Sequence, residues 1–341
     1  MDSHLARLSP GPSRRSACTA LAGWLVAAAG SRVHAQSDWP RRPVHIVCQY
    51  AAGGVSDRLA RLVAQQLQAL WNQPVVVDNR TGAGGIIATD FVAKSAADGY
   101  TVLITIPAPI TSYLALYRRL PYDARTDLRL VSDIATPRTL LVTNARVPAS
   151  SFAELVAYLK KAPRPVGFGS WGAGTIGHQT QAYMDRAHGT RTVHVPYRGE
   201  SLMLTDLLAG TIELAVASQT SVQQHVAAGQ LRAIAANGTR RIAALPNVPT
   251  FEEQGFGDAV YRLEGPISLA VPVRTPIDIV ERMSRDVVGV LSTSAVRAQV
   301  VELGAEPIGN SAAEADANWR RALPLWIELA QGTGVALDAT P

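Results

Sequence analysis

The chain has 341 residues, and its 32 lysines and arginines against 27 aspartates and glutamates give a formal charge of +5. Removal of residues 1–35 would take away four arginines and one aspartate and lower that charge to +2. No concentrated basic face for nucleic acid would then remain. Of two cysteines, Cys18 would leave with this segment. Cys48 would remain alone, which excludes an intramolecular disulfide and favours packing as a small apolar residue.

The first 35 residues have the pattern of a cleaved export signal. Arg14 and Arg15 precede an apolar run from Ala17 to Ala29, and the small residues up to Ala35 suit a signal peptidase. The run is shorter than the roughly 20 residues that a permanent transmembrane helix needs. We therefore expect a periplasmic protein cleaved near Ala35. The paired arginines leave both the general secretory and the twin-arginine route open.

The first hundred residues after this segment alternate strands with helices. The β-branched residues from Val44 to Val47 predict a buried strand, the glycines after Ala51 predict an exposed turn, and Ser56 or Asp57 can cap the next helix. That helix is predicted to bury one apolar face, formed by Leu59, Leu62, Val63, Leu67 and Leu70. Strands at 74–78 and 101–106 follow, as a parallel sheet requires.

The alternation restarts at Ser151, with a strand at 166–169 and a helix from His178, and continues to about residue 236. Helices are expected from Pro276 to about 291 and over 312–329. Stretches at 130–142 and 265–271 are predicted to cross between two lobes. The fold class is therefore α/β with two lobes, each a mainly parallel sheet flanked by helices, joined by a hinge of two crossing strands. Lobe 1 is predicted to comprise 36–137 and 266–341, and lobe 2 to comprise 138–265.

Two glycine-containing turns are the candidate binding elements. Ligands in open α/β sheets bind beyond the carboxyl ends of the strands, so loops 50–57 and 170–178 are expected to face each other across a cleft. Each loop leads into a helix, whose first backbone N–H groups and dipole attract an anion. His178, at such a helix start, could either cap the loop or contact the anion. Tyr197 and Arg198, at the end of a strand, are predicted to contact the ligand, with Arg198 pairing with a second acidic group.

An alternative function comes from the run Gly172 to Gly177, which satisfies the G-x-G-x-x-G pattern of dinucleotide-binding turns. The next strand ends without the acidic residue that would hold a ribose, although Arg198 could meet a 2′-phosphate. An exported NADP-dependent enzyme is thus the second hypothesis. Export argues against it, because soluble nicotinamide cofactors are scarce outside the cytoplasm.

The sequence gives little support for a catalytic site or a metal site. Ser170 lies near glycines, but Phe168 replaces the first glycine of a G-x-S-x-G turn. The histidines show no metal-ligand spacing. The prediction is a binding protein that is not an enzyme and has no cofactor and no metal.

Several motifs recur in the order typical of one family. They are PxxIVxxxxxGGxxD at 43–57, PVVVDNRTGAGG at 74–85, DGYT at 98–101, LPYD at 120–123, GAGTIGH at 172–178, YRG at 197–199, DLLAGTIEL at 206–214 and VPTFEEQGF at 248–256. The chain thereby resembles the Bug proteins, or TctC-like receptors, which are extracytoplasmic substrate-binding components of tripartite tricarboxylate transporters. The resemblance covers nearly all of the chain after residue 35.

This resemblance implies a periplasmic-binding-protein type II fold that closes on a small carboxylate, works with the membrane subunits of a transporter, and is a monomer. A ligand-presenting accessory of a membrane sensor would use the same fold. The loops at 50–57 and 170–178 would hold the carboxylate through backbone N–H groups and ordered water. The ligand-binding residues predicted from the turns and the resemblance are Tyr50, Ala51, Gly53, Gly54, Ser56, Asp57, Thr105, Ser170, Gly174, Thr175, His178, Tyr197 and Arg198.

Three departures from the family pattern concern the ligand. The first loop lacks the usual prolines, so it is less preorganised. Glu264 stands before Gly265 where the family often has tryptophan. The run from Ala217 to Thr220 lacks the acidic residue that the family often places there, so an amino-acid ligand that needs a carboxylate partner is less expected.

Overall fold

The computed structural model describes residues 38–338, so the predicted export signal and its cleavage near Ala35 lie outside the described residues. The described chain forms two β-sheets covered by helices. The strands are β1 (Val44–Cys48), β2 (Val75–Asn79), β3 (Thr101–Thr105), β4 (Leu128–Pro137), β5 (Thr139–Asn144), β6 (Val166–Ser170), β7 (Thr192–Pro196), β8 (Leu214–Ser218), β9 (Leu231–Ala236), β10 (Ile267–Pro272) and β11 (Ala305–Pro307).

The α-helices lie between these strands and after the last one. They are α1 (Val55–Trp71), α2 (Ile86–Ala93), α3 (Pro107–Ile110), α4 (Tyr113–Leu116), α5 (Ala124–Asp127), α6 (Phe152–Lys161), α7 (Ile176–His188), α8 (Glu200–Ala209), α9 (Gln219–Ala227), α10 (Ile277–Ser292), α11 (Ser294–Glu302) and α12 (Ala312–Gly332). No helix within residues 38–338 is both long enough and apolar enough to cross a membrane.

Both sheets are mixed. The first has the order β11-β4-β10-β3-β1-β2, and the second has the order β7-β6-β8-β5-β9. Pairing is parallel where strands are joined through helices, from β1 to β2 and β3 and from β6 to β7 and β8. It is antiparallel around β4, β5 and β10, which are the strands next to the passages of the chain between the two sheets. The two-lobed α/β fold is confirmed, but the expectation of mainly parallel sheets holds only for the strand-helix-strand units.

The chain passes between the sheets at Arg138. The sequence predicts one crossing strand over 130–142, whereas the structure has β4 in the first sheet and β5 in the second, with only Arg138 between them. The Arg138 backbone N–H donates to Gly304 O (3.0 Å), and its carbonyl accepts from the Gln219 N–H (2.9 Å). These bonds attach the crossing to a neighbouring element on each side. The predicted lobe boundaries themselves stay a prediction.

Helix α1 is fixed by the apolar face that its spacing predicts. Leu59, Val63 and Leu67 are each no more than 1% exposed and belong to the first sheet's core, and burying such a side chain contributes roughly 1.5–3 kcal/mol. Leu70, which the sequence also placed on this face, is 57% exposed. The buried face holds the amino end of α1 at the edge of the first sheet.

Helix α12 packs against the cores of both sheets. Trp319 lies in a core of the first sheet and donates its indole N–H to Ile110 O (3.0 Å), while Trp326 packs among the apolar residues of the second. The sequence located this helix correctly. It missed α11 and β11, which are short and lack a strong apolar period.

Candidate ligand-binding site between the two sheets

A cavity of about 200 Å³ lies between the two sheets. Its walls come from both: the turn before α1, the start of α3, the start of α8, and the segment before β10. The residues that line it are Tyr50, Ala51, Ala52, Gly54, Val55, Ser56, Ile106, Pro107, Ala108, Pro137, Thr139, Trp171, Ile176, Arg198, Gly199, Glu200, Ser201, Leu202, Ser218, Glu264, Gly265, Ile267 and Trp326.

The amino end of α1 opens into this cavity. Gly54 is the N-cap residue and no side chain caps the helix, so the N–H groups of the first turn have no side-chain acceptor. Asp57, in that turn, is 2% exposed, and its carboxylate accepts hydrogen bonds from Gly53 N (2.9 Å), Arg61 and Asn79. Burial would raise the pKa of Asp57, but the hydrogen bonds from Arg61 and Gly53 outweigh it and hold the pKa below its usual range. Asp57 thus stabilises the turn and is not part of the cavity wall.

A second helix, α8, opens into the cavity from the other sheet. Its N-cap residue is Gly199, again without a side-chain cap. A Cβ on Gly199 would lie 3.7 Å from the Ala51 Cβ, so the two turns meet. Two uncapped helix N-termini, with their partial positive charges, therefore converge on one volume.

Arg198 supplies a full positive charge at the same place. It lines the cavity, is exposed, and forms no hydrogen bond or ion pair with any of residues 38–338. A guanidinium without a protein partner can bind a carboxylate through two parallel hydrogen bonds.

A third helix start, that of α9, is already occupied. Ser218 is its N-cap residue, and the carboxylate of Glu200 accepts from both the backbone N–H and the hydroxyl of Ser218. Burial raises the pKa of Glu200, while its hydrogen bonds with Ser218 oppose that rise. The acidic residue that the sequence lacks between Ala217 and Thr220 is therefore supplied by Glu200, from α8.

The cavity wall also contains one member of an ion pair. Glu264 lines the wall and accepts a short hydrogen bond from the Arg138 guanidinium. Arg138 also donates to Arg240 O (2.6 Å) and has only 11% of its side chain exposed. Burial raises the pKa of Glu264, and the charge of Arg138 opposes this. The pair joins the two crossings of the chain.

Most of the remaining wall is apolar. Trp171, Ile176 and Trp326 come from the second sheet's core and its surroundings, and Ile106 borders that of the first. Gly265 fits between them: a Cβ there would lie 2.2 Å from Pro107 Cγ and 3.0 Å from Trp326 Cζ2.

The structure separates the predicted site residues into three groups. Tyr50, Ala51, Gly54, Ser56 and Arg198 line the cavity. Tyr197 lines a neighbouring cavity of about 300 Å³, together with Tyr50 and Arg198, and its hydroxyl donates to Asp206 (2.6 Å). The others are absent from both walls: Gly53, Asp57, Thr105, Ser170, Gly174, Thr175 and His178. Their direct contact with ligand stays a prediction.

Thr105 is fully buried beneath the first turn. Its hydroxyl donates to Gln49 Oε1 (2.6 Å), so it ties the ends of β3 and β1 together.

The second glycine loop is built around a pair of buried imidazoles. The rings of His178 and His194 stack with centroids 3.7 Å apart, and Gly174 N donates to His178 Nδ1 (2.8 Å). Ser170 Oγ lies 2.6 Å from His194 Nε2 and donates to Gly172 O (2.9 Å). Burial lowers the pKa of His178 to about 4, and burial together with His178 lowers that of His194 to about 3. Both rings are neutral at pH 7, and they hold the loop from within.

The loop at 170–178 packs against the 82–85 turn and Tyr113, in addition to lining the cavity with the loop at 50–57. A Cβ on Gly172 would lie 3.3 Å from Gly84 Cα, and one on Gly174 would lie 2.7 Å from a Tyr113 ring carbon. The glycines are needed for close packing against the 82–85 turn and Tyr113. The tip of the loop is thus held against another part of the chain, although Gly172 and Ala173 also line the second cavity.

Sequence reasoning missed Trp171, Glu200, Glu264 and Trp326 as wall residues. Glu200 had a usable signal, since Gly199 precedes its helix much as Gly54 precedes α1. Trp326 had none, because it lies 108 residues beyond Ser218, the N-cap residue of α9, and reaches the cavity only through packing. Within residues 38–338, no group of three or more His, Cys, Asp or Glu side chains could hold a metal ion.

Comparison with family models matches residues 59–318 to TctC, the tripartite tricarboxylate transporter family receptor. The chain belongs to the TctC family. This TctC receptor is 34% identical to Protein BugT of Bordetella pertussis over 292 residues, which cover 85% of the chain and 89% of BugT. The resemblance inferred from the motifs is confirmed.

Solved structures agree with the fold of this TctC receptor. R. palustris Rpa4515 with adipate has 32% identity and a TM-score of 0.82, and the periplasmic binding protein BugD has 27% identity and a TM-score of 0.81. Each alignment covers 87% of this chain and 99% of the other.

Proposed function

We propose that this TctC receptor captures a small organic carboxylate in the cavity between its sheets and presents it, in the periplasm, to the membrane subunits of a tripartite transporter. The observation that carries the proposal is the convergence of two uncapped helix N-termini, those of α1 and α8, beside the unpaired Arg198.

This arrangement suits an anion that binds without reacting. Backbone N–H groups at both helix starts can donate to carboxylate oxygens, and the guanidinium can add charge-assisted hydrogen bonds. Because one helix belongs to each sheet, a bound carboxylate would connect the two lobes. Binding energy would then favour the closed arrangement.

The relatives support this class of ligand. Rpa4515, which is 32% identical to this chain, was solved with adipate, and BugD is a periplasmic binding protein. The NADP-enzyme alternative is not favoured, because the Gly172–Gly177 loop packs against Tyr113 and the 82–85 turn and because the family consists of receptors.

The test is calorimetric titration of the purified protein with a panel of carboxylates, with NADP as the comparison ligand. We expect binding of a carboxylate and none of NADP. Arg198→Gln should weaken carboxylate binding about tenfold to a hundredfold, since a hydrogen bond to a charged group contributes roughly 1.5–3 kcal/mol. Arg285→Gln, on the exposed face of α10, is the matched control and should bind as the parent does.

Failure to bind any carboxylate would refute the proposal, and so would NADP binding alone. The transport role needs its own test: deletion of the gene should abolish uptake of the titrated ligand, and the tagged receptor should retain transporter subunits from solubilised membranes. Retention of a sensor kinase instead would support the ligand-presenting alternative. The predicted monomer is checked by light scattering.

A further inference from the structure

We infer that the cavity selects a carboxylic acid with one carboxylate and an uncharged, apolar body, and discriminates against dicarboxylates. This inference rests on the proposed carboxylate-binding function and narrows its ligand. Three features of the wall carry it: an internal carboxylate at α9, an arginine that is already paired, and an apolar interior.

The first feature is the position of Glu200. The starts of α1, α8 and α9 all contribute residues to the wall, and a helix start can hold a carboxylate. At α9, Glu200 already accepts from the backbone N–H and the hydroxyl of Ser218. The protein's own carboxylate therefore fills the place where a second ligand carboxylate would find these donors.

The second feature is the Arg138–Glu264 pair. Arg198 is the only cationic side chain in the cavity wall, all of which belongs to the described chain. Arg138 is the next cation, behind Pro137 and Thr139, but its guanidinium is committed to Glu264 and to Arg240 O. A second ligand carboxylate would meet Glu264 in place of a free guanidinium.

The third feature is the surface between these groups. Besides Arg198 and Glu264, the wall contains Trp171, Ile106, Pro107, Ile267 and Trp326. Such a surface stabilises an alkyl or aryl body, whereas an unpaired carboxylate buried against it loses its hydration without compensation. The wall thus combines one guanidinium, that of Arg198, with a largely apolar surface.

Two pairs of ligands test this inference because each pair differs in one carboxylate. Hexanoate is compared with adipate, and 4-methylbenzoate with terephthalate, by calorimetric titration of the purified protein at pH 7.5. We expect at least one of the monocarboxylates to bind ten times or more tightly than its dicarboxylate partner.

The variant Glu264→Gln tests the assigned cause. It leaves a side chain of the same size but frees the charge of Arg138, so adipate should gain at least tenfold relative to hexanoate. Glu200→Gln should likewise raise the affinity for adipate relative to that for hexanoate. It is the second variant if thermal melting shows that Glu264→Gln does not fold. Glu281→Gln, exposed on α10 and absent from the wall, should leave the ratio unchanged.

The outcomes separate this inference from the proposed function. Dicarboxylates that bind as tightly as their partners, or more tightly, would overturn the inference and leave the carboxylate receptor intact. Binding of no carboxylate at all would overturn both. A parent preference for monocarboxylates that neither glutamate variant alters would contradict the role given to Glu200 and Glu264.

Discussion

Acidification below pH 6.5 should destabilise this protein through the stacked pair of His178 and His194. In the folded state both rings are neutral, with pKa values lowered to about 4 and about 3 by burial and, for His194, by its neighbour. Gly174 N–H donates to His178 Nδ1, so protonation of that nitrogen would remove an acceptor that holds the loop. In the unfolded chain both imidazoles regain the usual pKa near 6.5.

The direction and size of the effect follow from these values. Between pH 6.5 and about 4 the unfolded chain takes up protons that the folded protein does not, so the free energy of unfolding falls as the pH falls. Each pKa unit corresponds to about 1.4 kcal/mol, so acidification to pH 5 should cost about 2 kcal/mol for each ring and up to about 4 kcal/mol for the pair. Above pH 6.5 the pair should contribute no pH dependence.

Urea unfolding at pH 7.5 and pH 5.0 measures this loss. Carboxylates contribute to the same difference, so the comparison needs a variant. His194→Gln can still hydrogen-bond to Ser170 and removes one titrating ring, so its loss should be smaller than the parent's by about 2 kcal/mol. His225→Gln removes a partly exposed histidine that lies outside this pair and should lose as much as the parent. Equal losses for the parent and His194→Gln would refute this account of the buried pair.

Two further predictions concern the cavity wall and the turn that leads into α1. Gly265→Ala should cost about 1–3 kcal/mol of stability through overpacking and weaken ligand binding more than tenfold, because its Cβ would lie 2.2 Å from Pro107 Cγ. Thermal melting and calorimetry compare it with Gly257→Ala, where the added Cβ would meet only an ordinary contact at 4.0 Å. Equal stability and affinity of the two variants would contradict this prediction. Asp57→Asn should lower the free energy of unfolding by about 1–3 kcal/mol, since it weakens the buried acceptor of the Gly53 N–H and of Arg61. It should also weaken carboxylate binding, because the turn before α1 is held less firmly. Asp278→Asn, at the exposed first turn of α10, is the control, and an Asp57 variant as stable as this control would contradict the role of Asp57 in the turn.

The elements that sequence reasoning located correctly are those with a local signal. The period of Leu59, Val63 and Leu67 fixes α1, and the short apolar runs followed by glycine fix β1 and β6. The pairing direction in the middle of each sheet could not be obtained in this way. It depends on where the chain passes from one sheet to the other at Arg138, which is a property of the whole topology.

In the candidate site, too, the sequence predicted the features that have a local signal and missed those that depend on the whole fold. Gly54, Ser56 and Arg198 line the cavity, as expected for turns beyond the carboxyl ends of strands in an open α/β sheet. Ser170, Thr175 and His178 belong to an equally conspicuous turn, yet they are buried and bonded within it. The sequence shows that both turns lead into helices. It does not show that the second one packs its tip against Gly84 and Tyr113.

The ligand of such a receptor depends on side chains that local motifs do not connect. Backbone N–H groups at α1 and α8 can bind any carboxylate, so the motifs shared across the family indicate the class of ligand and nothing narrower. What distinguishes this cavity is that α9 is closed by Glu200 and that Arg138 is held by Glu264. Glu200 is 18 residues from Ser218 along the chain, and Glu264 is 126 residues from Arg138. A change at either glutamate would alter the number of free positive groups without changing the fold, so relatives with the same turns can be expected to differ in the number of carboxylates that they accept.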